Sequence, residues 1–294
     1  MKAKRFFGRS TLFILAAVFA ILFLLPTILT ISNSFMTQSE INANYGMIFE
    51  STRPGAGTYV GGSVNLKFIP DKVSFSQYET VLFRSPEYIV KFWNSVILVI
   101  PIVFFQVGIA AFAAYSFTRF RSKVKNVIFF FYIVLMLMPY QVTMVPNFLV
   151  AERLGILGLR WAVIFPGVFA PFSVFLLTKF MRRIPSVLIE AAKLDGANEF
   201  QIFSRVCIPQ CRSALYSIAI LVFIDYWNMV ELPIILLGDA DSQPLSVYLS
   251  RINAEEAGVA FAIAVVYMVL PLMLFLHGEE ALVEGITHSG SVKG

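Results

Sequence analysis

The sequence predicts an all-α integral membrane protein with six transmembrane helices and a large first external loop. The first observation is composition: of 294 residues, 58% are hydrophobic and only 14% are charged, and the mean hydropathy is +0.76. Soluble proteins of ordinary composition carry roughly a quarter charged residues. The second observation is that apolar runs of about 20 residues recur, the helix length that crosses a bilayer core. The third is that basic residues cluster in short segments between these runs.

The first apolar run, residues 11–31, follows a basic N-terminus and so has the start of a signal peptide. It is longer than the core of a usual signal peptide, however, and no small-residue cleavage site follows it. We therefore interpret it as the first transmembrane helix. The six predicted spans cover approximately residues 11–31, 93–117, 126–147, 161–180, 214–237 and 259–276.

The third and fourth spans are among those that contain helix breakers. Pro139 lies in the outer part of the third span, and Pro166, Gly167 and Pro171 lie in the fourth. A proline inside a span frees backbone groups, which must then be satisfied by protein or by a wet cavity. Interrupted helices of this kind are typical of a membrane path that opens and closes.

The predicted external loop, residues 33–91, is long for a connection inside a compact protein. Its middle, residues 53–63, is rich in glycine and other breakers, and Ser74 with Gln77 indicates the start of a short helix carrying Tyr78. The loop is either simply solvated or forms a small platform that faces a soluble partner.

The net charge of +5 follows membrane topology and does not indicate nucleic-acid binding. Because basic residues favour the cytoplasmic side, the N-terminus, the basic loop 119–125 and the loop 181–212 are predicted to be cytoplasmic, and six spans return the C-terminus to that side. Cys207 and Cys211 fall in the same region. A pair of cysteines without a nearby histidine is a poor metal site, so we interpret both as reduced packing residues.

The segment 184–209 is the longest polar interruption in the second half of the chain, and it predicts two short helices with a bend at Gly196. Pro185 suits a first helical turn, and Asn198 with Gln201 has the form of a capping box. Ala191 and Ala192 give the first helix a small-residue face flanked by charges. Such a helix either docks into a groove of another protein or lies on the membrane surface.

Three short pieces of this segment resemble the EAA motif of ABC-importer permeases: residues 190–192 (EAA), 195–197 (DGA) and 208–209 (IP). The resemblance implies a type I, maltose-permease-like fold in one transmembrane domain, residues 1–294. It also implies that this loop couples the permease to an ATPase subunit. The residues that the resemblance assigns to coupling are Glu190, Ala191, Ala192, Asp195, Gly196 and Pro209.

A polar cluster lies in the predicted fifth span. A carboxylate deep in a bilayer costs on the order of 2.5–3.5 kcal/mol, so such groups face the bundle interior, a partner or water. The cluster is either a buried structural pair for a neighbouring helix or part of a solute path. In the second interpretation Trp227 stacks on a solute while Asp225 and Asn228 bind its hydroxyls, which suits a sugar. The predicted path residues are Tyr140, Gln141, Asp225, Tyr226, Trp227, Asn228 and Glu231.

The sequence contains no phosphate-binding G-x-x-x-x-G-K-[ST] loop and no HExxH, GxSxG or paired Cys-x-x-Cys motif, so we expect no enzyme, cofactor or metal site. The resemblance implies a sugar permease in a prokaryotic inner membrane. Its implied partners are a second homologous permease, two ATPase subunits that bind ATP and Mg²⁺, and an extracytoplasmic solute-binding protein. The alternatives are an ABC permease for a non-sugar solute and a stand-alone carrier.

Overall fold

The computed structural model describes the backbone of residues 2–51, 65–120, 122–252 and 256–290, and the side chains of residues 12–45, 65–120, 122–252, 256–280 and 282. Throughout these ranges the chain is helical or irregular, without a β-strand. The predicted all-α membrane fold is confirmed. The glycine-rich residues 53–63 and Arg121 of the predicted basic loop lie outside the described residues.

The longer α-helices are numbered here in chain order. They are α1 (Lys2–Asn33), α2 (Gln38–Ser51), α3 (Pro86–Arg119), α4 (Lys123–Met136), α5 (Tyr140–Arg153), α6 (Arg160–Val168), α7 (Pro171–Met181), α8 (Ser186–Leu194), α9 (Arg212–Trp227), α10 (Glu231–Leu236) and α11 (Ala257–Gly290).

Four helical stretches are long and apolar enough to cross a membrane by themselves: Leu12–Asn33, Pro86–Arg119, Arg160–Met181 and Ala257–Glu280. Two further stretches qualify only as bent pairs. These are α4 with α5, bent by 105°, and Glu199–Gln210 with α9, bent by 75°. The described chain therefore has four to six candidate spans. Three of these helices clearly exceed their predicted bounds: α1 begins at Lys2 instead of 11, α3 begins at Pro86 instead of 93, and α11 continues past 276 to Gly290.

The third span, predicted over residues 126–147 with the breaker Pro139 in its outer part, consists of two helices. The chain turns by 105° between α4 and α5, and Pro139 adopts an extended conformation with ψ of 136° just before α5. Proline cannot donate the next helical hydrogen bond, and it disfavours helical geometry at Met138, the residue before it. One hydropathy peak therefore contains two helices of different direction.

The fifth span is also interrupted. It was predicted over 214–237, but α9 ends at Trp227 and α10 begins at Glu231. Pro233 in α10 has no N–H to donate to the carbonyl of Met229. The hydroxyl of Ser246 donates to that carbonyl instead, at 2.5 Å. The predicted interruption of the fourth span is observed between α6 and α7, where Pro171 occupies the first turn of α7.

Backbone contacts divide the chain into two compact units, and the predicted single domain over residues 1–294 stays a prediction. The first unit is Met1–Ile89 with Leu249–Val269. Within it lies α2, a helix inside the predicted external loop 33–91. Glu40 of α2 accepts the backbone N–H of Asp71 at 2.7 Å and pairs with Lys67 at 3.1 Å. These contacts fold the described part of the predicted external loop onto α2.

The short helix predicted from Ser74 and Gln77 lies in the same unit. It consists of an α-turn, Ser76–Glu79, followed by the π-helical turn Thr80–Arg84. Its Tyr78 hydroxyl lies 2.7 Å from the Ser34 hydroxyl, and its ring packs on Phe35 at 5.4 Å between centroids. The helix is thus attached to the segment that directly follows α1.

The second unit is Val90–Tyr248 with Leu270–Gly294. Its loop between α10 and the turn Leu245–Leu249 is held by the buried Asn94 of α3. The Asn94 amide donates to the carbonyls of Asp241 at 2.6 Å and Gln243 at 3.3 Å, and its oxygen accepts from Arg160 at 2.8 Å. One side chain therefore joins α3, α6 and this loop.

We predict that Asn94→Ala destabilises the protein, because it leaves several polar groups without their partner, at a cost of about 1–3 kcal/mol. Thermal unfolding of the purified protein in detergent should show a midpoint several degrees lower. The matched control is Lys91→Ala, which removes an exposed hydrogen bond from Nζ to the Ala240 carbonyl of the same loop. Equal midpoints for the two variants would contradict the assignment of Asn94 as the joining residue.

Candidate functional site

The loop 181–212 contains the two helices expected from its sequence. The first is α8, Ser186–Leu194. Pro185 was expected in the first turn but lies one residue before it, as the N-cap with ψ of 134°. The predicted capping box is present: Gln201 N–H donates to Asn198 Oδ1, and Asn198 N–H donates to Gln201 Oε1, both at 2.9 Å. The starts of the two helices are thus determined by residues within about one turn of them.

Gly196 forms the bend between the two helices. Its φ is +81°, a left-handed conformation that costs a residue with a Cβ roughly 1 kcal/mol or more. The N–H of Gly196 donates to the carbonyl of Lys193, and the N–H of Ala197 donates to that of Ala192, both at 3.0 Å. This pair of bonds is a Schellman motif, which ends a helix at a glycine. Gly196 therefore fixes where α8 stops.

The surface of α8 is unusually apolar for a polar loop. Ile189 is buried, and Glu190, Ala191 and Asp195 are exposed. Large apolar side chains that the sequence analysis did not single out are also exposed: Val187 to 70%, Leu194 to 89% and Phe200 to 66%. Contiguous exposed apolar groups framed by charges mark interaction sites. Helical spacing could have indicated them, because Val187 and Leu194 lie away from the face of α8 that carries the buried Ile189.

The second helix of the loop, Glu199–Gln210, contains a wide turn. Residues Ile202–Cys207 are π-helical, and Pro209 follows within the same stretch. Proline cannot donate to the carbonyl four residues earlier and crowds it, which favours a wider turn. Pro209 itself is exposed. Cys207 and Cys211 are free and buried, as expected of packing residues.

The polar residues of the broken spans lie close together. Tyr140 begins α5 directly after the first break, and it lies within electrostatic range of Tyr226, Asp225 and Glu231 at the second break. Helix α10, which starts at Glu231, packs against α5 and α6. Asp225 and Glu231 are exposed. Residues at two interruptions far apart in the chain thus interact electrostatically with Tyr140, and the four are called here the break cluster (Tyr140, Asp225, Tyr226 and Glu231).

Gly167 determines the position of Tyr226. A Cβ on Gly167 would lie 2.9 Å from Ile102 Cγ2 and 3.0 Å from Tyr226 Cε1, so the glycine permits this close approach. The Tyr226 hydroxyl donates to the Gly167 carbonyl at 3.4 Å. The sequence alone indicates Gly167 only as a helix breaker. Its contact with Tyr226 places α6 directly behind the break cluster.

The prediction that Trp227 stacks on a solute is wrong for this structure. Trp227 is only 1% exposed. Its ring stacks on Phe223 at 5.1 Å between centroids and meets the edge of Phe92 at 5.7 Å. Residues 225 and 227 are two apart on a helix and so point to nearly opposite faces. Asp225 is therefore exposed, whereas Trp227 belongs to the core.

The two remaining path residues lie beside the break cluster. Asn228 is exposed, and its side-chain amide donates to the carbonyl of Ile224 at 2.8 Å. Gln141 is exposed next to Tyr140. Their assignment to a solute path stays a prediction. Over the described ranges, the structure contains no group of three or more histidine, cysteine or acidic residues placed to hold a metal ion.

Residues 106–278 match the sequence profile of a family described as "Binding-protein-dependent transport system inner membrane component". This chain belongs to that family. The predicted resemblance to ABC-importer permeases is thereby confirmed. The inner membrane component is a multi-pass membrane protein and a transport subunit, and it is not an enzyme. Its function depends on a binding protein, as the family description states.

Several known proteins resemble this inner membrane component over most of its length. The arabinooligosaccharides transport system permease protein AraQ of Halalkalibacterium halodurans is 26% identical, over 92% of this chain and 98% of the relative. The osmoprotective compounds uptake permease protein GgtD of a Synechocystis species is 31% identical, over 69% and 70%. A crystal structure of a bacterial ABC transporter for the acidic polysaccharide alginate matches with a TM-score of 0.72 and 25% identity, over 95% and 97%. The type I permease fold is therefore confirmed.

We predict that Trp227→Ala destabilises the inner membrane component, because removing a buried aromatic side chain costs about 3–5 kcal/mol. Thermal unfolding in detergent should shift far more than for Asn228→Ala, the exposed neighbour that serves as control. If Trp227→Ala left the unfolding midpoint unchanged and weakened only solute uptake, the assignment of Trp227 to the core would be incorrect.

Proposed function

We propose that this chain is the permease subunit of an ABC importer for a sugar or oligosaccharide, and that an ATPase subunit moves it through the loop 184–209. The observation that carries this proposal is α8. It is an exposed helix with a defined end at Gly196 and unburied apolar side chains beside charged ones. Exposed apolar side chains of this kind are unfavourable in water, and a partner protein with a groove would bury them.

The chemistry of α8 supports docking against a protein. Ala191 allows close approach, and Val187 and Leu194 are each exposed by more than two thirds. Fully burying a side chain of this size contributes about 1.5–3 kcal/mol. Glu190 and Asp195 at the rim would select the orientation of the partner more than they add affinity. Because this chain lacks a phosphate-binding loop, ATP and Mg²⁺ would be bound by that partner.

The break cluster supports a role in solute passage. Its carboxylates are exposed on the isolated chain, although groups of this kind in a membrane face water or a partner. A second, homologous permease subunit that covers the cluster would complete a polar path, of which this chain forms one half. Interrupted helices at membrane depth are tolerated where they line such a cavity.

Two further features complete the proposed assembly. The distribution of lysine and arginine supports cytoplasmic N- and C-termini, so that α8 and the ATPases lie on the cytoplasmic side. The binding protein would then approach from the opposite side, where the predicted loop 33–91 is expected. Two ATPase subunits are proposed, one for each permease.

A sugar substrate is supported by the names of the relatives, since AraQ transports arabinooligosaccharides and the matching crystal structure concerns alginate. Tyr140, Asp225 and Asn228 supply donors and acceptors for hydroxyl groups. The relative that carries osmoprotective compounds favours a second candidate, a non-sugar solute. In that case Asp225 and Glu231 would act through charge.

We predict that Gly196→Trp and Glu190→Lys abolish uptake while leaving membrane insertion intact. The first changes the end of α8, and the second reverses a charge on its exposed face. Uptake by reconstituted vesicles and the membrane-inserted amount should be measured together. Glu152→Lys, the same change at an exposed position of α5, is the control. Normal uptake by both α8 variants would remove the basis for the coupling role.

We predict that Asp225→Asn with Glu231→Gln weakens uptake of a sugar without changing which solute is preferred. The panel is an arabino-oligosaccharide, lactose, an alginate oligosaccharide and glycine betaine, each labelled. Neutral amides still donate and accept hydrogen bonds but do not attract a cation. Selective loss of glycine betaine uptake in the variant would establish the non-sugar candidate and reject the sugar.

A further inference from the structure

The carboxylate of Glu199 connects two helices that are far apart in the sequence. The hydroxyl of Tyr115, near the end of α3, donates to Glu199 Oε2 and to the Glu199 backbone carbonyl at 3.2 Å. Lys193, in the last turn of α8, pairs with Glu199 Oε1 at 2.8 Å. One oxygen thus faces a predicted membrane span and the other faces the helix of the proposed docking site.

The position of Glu199 is fixed by aromatic packing. Phe203, one turn later, stacks on Phe112 of α3 at 4.6 Å between centroids and packs edge-on against Tyr115 at 5.3 Å. Phe203 and Tyr115 are both buried. The start of the second loop helix is therefore held against α3 independently of Lys193.

The charges favour an ionised Glu199. Its pKa is held below the ordinary value by the hydrogen bond from Lys193 first and by the one from Tyr115 second, and the charge of Arg119 adds to this. Ionisation at neutral pH keeps both oxygens available as acceptors.

The attachment of α8 to the rest of the unit is otherwise narrow. Ile189 is its buried side chain, and the bend at Gly196 follows its last turn. An exposed ion pair contributes little to the stability of a fold. The convergence of Lys193 and Tyr115 on one carboxylate is therefore better explained by the positioning of α8 than by stabilisation of the fold.

We propose that Glu199 is a positioning residue that fixes α8 to the end of α3, so that a displacement of α8 is transmitted to that membrane span. This inference rests on the proposed function, in which an ATPase displaces α8. Without Glu199, the ATPase still docks and hydrolyses ATP, but α3 no longer moves when α8 is displaced.

The test uses the complete transporter with its copurifying ATPase, reconstituted in liposomes. A Gln141→Cys reporter beside the break cluster is modified with a water-soluble maleimide, with and without ATP and vanadate. The parent chain without this reporter corrects for Cys207 and Cys211. The ratio of the two modification rates measures how far ATP changes access to the path, and no transported solute is needed.

In the reporter chain we expect ATP with vanadate to change the rate at least about fivefold. Glu199→Ala should reduce this change below about twofold, while the ATPase rate stays within about twofold of the parent. Glu199→Gln, which keeps an acceptor for Tyr115 but loses the ion pair, should give an intermediate change. Glu152→Gln, the same substitution at an exposed site of α5, should give the full change.

Exchanging the charges of Lys193 and Glu199 distinguishes a loss of transmission from α8 to α3 from general damage to the protein. Lys193→Glu and Glu199→Lys should each reduce the ATP-dependent change, and the double variant should restore at least about half of it. A double variant no better than the single ones, or a full response in Glu199→Ala, overturns the inference and leaves the proposed function intact. Absence of any ATP-dependent change in the reporter chain overturns the proposed function, and this inference with it.

Discussion

The cost of unpaired backbone groups in lipid is the constraint on which the rest of this structure depends. No water is available in the bilayer core, so a helix can be interrupted only where other groups satisfy the freed N–H and carbonyl groups. The break before α10 shows this directly. The Ser246 hydroxyl donates to the Met229 carbonyl, to which Pro233 has no N–H to donate. The breaks before α5 and α10 bring Asp225 and Glu231 within electrostatic range of Tyr140. The same two helix breaks therefore account for the polar residues of the break cluster.

The loop 181–212 combines a rigid helix with limited anchoring, which is what transmission of movement requires. Gly196 ends α8 at a defined residue through its left-handed backbone, and the capping box at Asn198 starts the next helix two residues later. Phe203 then holds the second helix against α3 through stacked rings. A push on α8 would therefore reach the membrane part through few contacts.

Local signals in the sequence were sufficient for α8, the capping box and the left-handed Gly196, because each depends on residues within one or two turns. Composition was sufficient for the apolar spans. Pro139 marked the break in the third span but not its angle of 105°. The break at 228–230 was missed because hydropathy averages over both sides of a bend. Trp227 was misassigned because its burial depends on Phe92 of a distant helix. The Tyr115–Glu199 contact joins residues 84 positions apart. Helix α2 was missed because its buried residues, Ile41 and Tyr45, stand in a largely polar stretch.

The measurement that tests the central claim most directly is site-specific cross-linking from the exposed face of α8 in native membranes. A photoreactive residue at Val187 or Leu194 would be activated, and the cross-linked product identified by mass spectrometry, with Val142 of α5 as the control position. The account predicts an ATPase subunit cross-linked from both α8 positions and not from Val142. Cross-links from α8 to lipid alone, with no ATPase recovered, would contradict it and make α8 a helix that lies on the membrane surface.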